Sequence, residues 1–179
     1  PNYPKIFRRF LPVFLTLAGI TFFRGAMKSS LTLDLPVYLT GKGMELWGAG
    51  ISLSVLQLAA AAGTFLSGSI SDKIGRRKML IIVTVLSPLL MILFVNSSGV
   101  LSVILLILMG LFLVGPESVN LAVIHNLDTK HLPFVNGVYM TINFFINSVM
   151  TLAVGGLSDW IGMDKTYLIA ALLAFPSII

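Results

Sequence analysis

Six apolar runs, each parted from the next by a few polar residues, constrain this chain more than any other feature of its sequence. They cover about 10–39, 46–70, 79–95, 100–127, 134–157 and 166–179. A helix needs about 20 residues to cross roughly 30 Å of hydrocarbon, and the first five runs are long enough or nearly so. Their apolar residues are continuous rather than alternating, which argues against an outer-membrane barrel. The expected fold is therefore an all-α polytopic membrane protein, with residues 1–179 as a single bundle. The sixth run reaches Ile179 after only 14 residues, so a truncated sixth helix is expected. A beginning at Pro1 rather than Met points the same way at the other end. The basic stretch ahead of the first run imitates a signal peptide, but five further runs argue against that reading.

Charge supplies the topology. Only 11% of the residues are charged against 56% hydrophobic ones, and the mean hydropathy is +0.97. A soluble domain carries about 25% charged residues. If five spans alternate sides, one side receives eight basic residues: Lys5, Arg8, Arg9, Lys73, Arg76, Arg77, Lys78 and Lys130. The other side receives two, Lys42 and Lys165. The basic side is the cytoplasmic one, which puts the N-terminus inside and the chain in the plasma (inner) membrane. The net charge of +5 is thereby spent on topology and implies no nucleic-acid partner. The absence of cysteine excludes disulfides and thiol chemistry. His125 and His131 have no accompanying ligand set, so neither a metal nor another cofactor is expected, and no catalytic constellation suggests an enzyme.

The most specific motif is Gly68-Ser69-Ile70-Ser71-Asp72-Lys73-Ile74-Gly75-Arg76-Arg77-Lys78-Met79-Leu80, between the second and third runs. Gly68 would let a neighbouring helix approach closely. Gly75 suits a tight turn at positive φ. Asp72 ends one helix as an acceptor, and Arg76 and Arg77 begin the next as donors, so charge-assisted bonds to a neighbouring helix end are expected. The bland alternative is that the basic residues only anchor the loop to the cytoplasmic face.

This stretch resembles the signature loop of the major facilitator superfamily, with Gly68, Ile70, Asp72, Lys73, Gly75, Arg76, Arg77 and Leu80 at the matching positions and Ile70 for the usual leucine. The resemblance implies one six-helix half of a two-half transporter, working by alternating access, with the signature loop as a gate. The basic, Pro-containing lead-in looks like the linker before a C-terminal half. The intramembrane arginine together with Leu35-Pro36-Val37-Tyr38-Leu39 is similar to fosmidomycin-resistance-type exporters. The partial copy Gly156-Leu157-Ser158-Asp159-Trp160-Ile161-Gly162 reads as a helix connection on the outer side, not a second gate. Many antiporters of this family carry a Gly-Pro motif in the fifth span. Here Asn147, Thr151 and Leu152 stand in its place and only Gly155 and Gly156 match, which puts antiport in doubt.

The remaining candidates are ionisable or polar residues within spans, which are costly there and so point to function. Arg24 lies about 21 Å along the helix from Phe10, at 1.5 Å per residue, and shares a face with Thr21 and Lys28. A cationic stripe on a cavity suits an anionic substrate such as a phosphonate, phosphate or carboxylate. Alternatively both stems snorkel to the outer headgroups. Glu117, after Gly115-Pro116, suits proton coupling if desolvated, or caps the helical piece that follows. Asn136, Asn143 and Asn147 form one stripe in the fifth span, open to a role in the cavity or in helix–helix bonding.

The expected function is secondary-active transport of a small molecule, anionic or drug-like, by proton-coupled export. The expected partners are that substrate, protons, the lipid bilayer and the second six-helix half. The alternatives are an uptake symporter or facilitator of the same fold, or a non-transporting sensor or scaffold.

Overall fold

The computed structural model describes residues 3–114, 117–127 and 129–174. Among them the secondary structure is entirely helical. Five helices are long and apolar enough to cross a membrane: α1 (Tyr3–Gly41), α2 (Leu46–Ile74), α3 (Arg76–Val95), α4 (Val100–His125) and α5 (Leu132–Ile161). A shorter α6 (Met163–Ala174) follows. The chain is thus an all-α polytopic bundle of the expected class. Leu58, Phe65, Leu152 and Trp160 are each more than 70% exposed. Side chains of that kind on a helix surface need lipid or another apolar surface around them.

The helices overrun the apolar runs that announce them. The basic lead-in from Tyr3 is already helical and continuous with the first span. Asp72 and Lys73 form the last turn of α2, and Arg76, Arg77 and Lys78 form the first turn of α3. Polar residues continue a helix readily once an apolar stretch has nucleated it. The connection between α2 and α3 is thereby reduced to Gly75, at φ +94° and ψ 136°. That conformation is open essentially to glycine alone. Gly162, between α5 and α6, repeats it at φ +85°, and each glycine N–H caps the helix before it through Ser71 O or Ser158 O. The same glycine conformation thus ends both α2 and α5.

Both α1 and α4 contain a π-helical segment, Ser30–Asp34 and Gly110–Val114. Pro36 and Pro116 follow them in the sequence. Proline has no N–H to give the carbonyl four residues back, and a shift to i→i+5 bonding absorbs the defect. Two carbonyls of these segments accept bonds from other helices. Tyr167 Oη donates to Ser30 O at 2.7 Å, and Ser87 Oγ reaches Phe112 O at 3.3 Å.

α1 packs chiefly on α5 and α6, α2 on α4, and α3 on α4 and α6. The α2–α4 contact is backbone to backbone. A Cβ on Gly63 would stand 2.5 Å from Leu111 O, and one on Gly110 would stand 2.6 Å from Leu56 O. The largest cluster of buried apolar residues, including Met27, Leu31, Leu56, Met91 and Met109, lies toward the end away from Gly75.

That end is closed by a clasp. Lys42 Nζ lies 3.0 Å from Asp164 Oδ1 and donates to Val95 O at 3.1 Å, while Tyr38 Oη donates to the same carboxylate at 2.9 Å. Tyr38 stacks on Tyr167 with ring centroids 4.5 Å apart. The clasp thereby ties α1, α3 and α6 together. Partial burial works against both charges, but the bonds to Tyr38 and to each other outweigh it. They hold the Lys42 ammonium above its ordinary range and the Asp164 carboxyl below its own.

Candidate functional site

On α1, Thr21, Arg24, Gly25 and Lys28 fall on one helical face, and all four line a small pocket against α4 and α5. Gly25 permits the approach of α5, since a Cβ there would stand 3.0 Å from Met150 Cγ. Arg24 is only 7% exposed. Its Nη2 donates to Leu113 O in the π-helical part of α4 at 2.8 Å. A guanidinium that is buried and bonded inward does not reach the outer headgroups. The stretch around it is held from three sides: Arg24 of α1 bonds Leu113, Gly63 of α2 abuts Leu111, and Ser87 of α3 reaches Phe112.

One turn further along α1, Lys28 Nζ forms an ion pair and hydrogen bond with Glu117 Oε2. The lysine side chain is 29% exposed and the carboxylate 42%, so both reach open space while paired. Glu117 opens the described segment Glu117–His125, but its carboxylate is engaged by Lys28 across the helix interface. Gly115 and Pro116, on which the capping alternative also rests, lie outside the described residues.

The pair looks onto an open cleft of about 620 Å³ between α1, α2, α4 and α5. Thr64, Tyr139, Asn143, Asn147 and Thr151 share its wall. Asn147 Nδ2 donates to Asn143 O at 2.9 Å and to its side-chain carbonyl, and Asn143 Nδ2 donates to Tyr139 Oη at 3.1 Å. Behind the pair lies the smaller pocket, of about 30 Å³, lined by Arg24 and Asn120. Lys28, Glu117 and Asn147 belong to both walls.

Five of the six in-span candidates are therefore brought together: Lys28, Glu117, Asn143 and Asn147 line the cleft, and Arg24 lines the small pocket beside it. Asn136 is not on either wall. Asn120, Tyr139 and Thr151 are the additions. Asn120 follows Glu117 by three residues and Tyr139 precedes Asn143 by four, so helical spacing from the known candidates would have found both.

The signature-loop residues form a separate locus. Arg76 Nη1 donates to Ala122 O in the last turn of α4, and its Nη2 lies 3.6 Å from Asp72 Oδ1. This is the expected bond from the start of one helix to the end of another. Lys73 and Arg77 are exposed. Gly75 has the expected positive φ. Gly68 departs from expectation, because a Cβ there would meet nothing within 4 Å. The close approach falls instead at Gly63, five residues earlier on α2, where the π-helical segment of α4 comes in. Among the described residues no group of three or more His, Cys, Asp or Glu is placed to hold a metal.

Comparison with known proteins agrees with this architecture. The family model described as Major Facilitator Superfamily matches residues 8–179. No curated protein and no solved structure matches the chain.

Proposed function

Since the chain belongs to the Major Facilitator Superfamily, whose members are transporters rather than enzymes in general, it is an integral membrane transport protein, and we propose that its substrate is a small organic or inorganic anion moved with protons. The observation that carries this reading is the Lys28–Glu117 pair on the wall of a substrate-sized cleft, with the Arg24 guanidinium behind it. A phosphonate, phosphate or carboxylate entering the cleft competes with Glu117 for the Lys28 ammonium. Protonating Glu117 releases Lys28, so proton and anion bind together. Among the described residues Glu117 pairs with Lys28, shares the small pocket with Arg24 and shares the cleft wall with Tyr139. Two cations against one carboxylate leave net positive charge for the anion to neutralise.

Joint binding supports symport, the expected alternative to export, and agrees with the missing Gly-Pro motif in α5. Export remains the direction implied by the resemblance to fosmidomycin-resistance-type proteins. In this reading the chain is the C-terminal six-helix half, with its N-terminus cytoplasmic, and the open side of the cleft faces the other half. Asp72, Arg76 and Gly75 then hold the cytoplasmic ends of α2, α3 and α4 together in one of the two access states.

The test is flux of labelled methylphosphonate, phosphate and acetate into proteoliposomes under an imposed pH gradient. Accumulation of one of these anions on the alkaline side beyond that in protein-free liposomes supports symport, and accumulation on the acidic side supports exchange for protons. Flux indifferent to the gradient would leave a facilitator, and no flux of any anion would remove the substrate class.

A further inference from the structure

Two buried polar atoms are left without a hydrogen-bond partner beside the candidate site: Arg24 Nε and Asn120 Oδ1. Arg24 is 7% exposed and Asn120 is 4% exposed. Both line the 30 Å³ pocket. One is a donor and the other an acceptor, so each has what the other lacks. Buried polar atoms are seldom unpartnered, because each costs about 1–3 kcal/mol when left so. A bound water needs about 10–15 Å³ and two to four polar partners. The pocket, at about 30 Å³, has room for such a molecule. A phosphonate or carboxylate is too large for it and belongs in the cleft on the other side of the pair.

We propose that this pocket is a fixed water site serving Glu117. The water accepts from Arg24 Nε–H and donates to Asn120 Oδ1, and its remaining capacity is directed to the Glu117 carboxylate, which lies on the same wall. A proton taken up by this water from solution is passed to Glu117, the carboxylate becomes a neutral carboxyl, and Lys28 keeps its charge and is released toward the cleft. The return step removes the proton by the same path. The water site and the cleft both touch the ion pair, sharing Lys28, Glu117 and Asn147 as walls. Asn120 is a positioning residue in this scheme, acting through the water. The proposal rests on the proton-coupled reading of Glu117.

The experiment compares Asn120→Leu, which keeps the bulk and removes the acceptor, with Asn120→Ser, which keeps an acceptor. Each protein is assayed in proteoliposomes for methylphosphonate, phosphate and acetate in two modes: accumulation driven by a pH gradient, and exchange of labelled for unlabelled anion without one. The expected result is a loss of about tenfold in driven accumulation for Asn120→Leu, with exchange within about twofold of wild type and recovery in Asn120→Ser. Equal loss in both modes, or failure of the serine variant alongside the leucine one, would assign Asn120 a structural role and overturn the proposal. An unchanged leucine variant would overturn it too. A structure of the wild-type protein at water-resolving quality separates this from the transport reading. Density bridging Arg24 Nε and Asn120 Oδ1 is expected whether or not flux is proton-driven, and its absence would overturn the water site alone. Wild-type flux blind to the pH gradient would sink the coupling and the proton route with it.

Discussion

Arg24 and Lys28 sit four residues apart on one face and do different things. Lys28 has a carboxylate partner and reaches the cleft, whereas Arg24 is buried on a backbone carbonyl. Arg24→Met removes the desolvation cost of a buried guanidinium but leaves Leu113 O without its donor, at about 1–3 kcal/mol, so the two effects oppose each other. The substitution is accordingly expected to change the melting temperature in detergent little while weakening anion binding about tenfold, about 1.4 kcal/mol. A lowered melting temperature with unchanged binding would make Arg24 a structural brace. Glu117→Gln keeps a neutral acceptor at the same place. It is expected to cost about 1 kcal/mol or less of stability, since both partners are partly solvated. It should abolish pH-driven accumulation and leave anion exchange, and driven flux at the wild-type level would remove Glu117 from the coupling. These residues were individually legible, because an ionisable side chain in an apolar run stands out. That Lys28 and Glu117 pair with each other was not legible. They are 89 residues apart, and helical periodicity tells which face a residue is on but not which helix that face meets.

At the scale of elements, the π-helical stretch of α4 is the least expected feature and the most closely held. Gly63→Ala and Gly110→Ala are each expected to destabilise by about 1–3 kcal/mol, because the new methyl meets backbone that cannot turn aside. Gly50→Ala, with nothing within 4 Å, should be near neutral and serves as the control in thermal denaturation. Equal effects at all three would contradict the contact. The signal for both π-helical stretches was present in Pro36 and Pro116, yet a proline inside an apolar run is read first as a kink or an end. At the far end of the bundle, the clasp of Lys42, Tyr38 and Asp164 carries its own pH dependence. Asp164 titrates below its ordinary value, so its contribution is complete above the normal carboxylate range and is lost as pH falls through the lowered value. Lys42 titrates above its ordinary value, so its share is complete below the normal amine range and is lost as pH rises through the raised one. Both groups are largely exposed, at 40% for Lys42 and 62% for Asp164, which limits the pair to about 0.2–1 kcal/mol. Asp164→Asn should remove the acid-side part of this dependence from the melting temperature, and an unchanged acid profile would show the clasp to be idle.

For the whole molecule, the apolar runs and the signature motif were enough to reach a helical bundle of this family, because a bilayer leaves a chain of this composition few alternatives. What they could not give is where the cleft lies, since that depends on α1 meeting α5 while α2 meets α4. The bundle pairs the Glu117 carboxylate with Lys28 on the wall of an open cleft of about 620 Å³, beside a smaller pocket that Arg24 also lines. In the proposed mechanism anion and proton are bound together through exchange of partners on Lys28. Proton uptake on anion binding tests this most directly, read with a pH-sensitive dye in weakly buffered detergent solution as methylphosphonate, phosphate or acetate is added to the purified protein. Uptake approaching one proton per bound anion is expected in the wild type and none in Glu117→Gln. Anion binding without proton uptake, or the same uptake in the glutamine variant, would contradict the account.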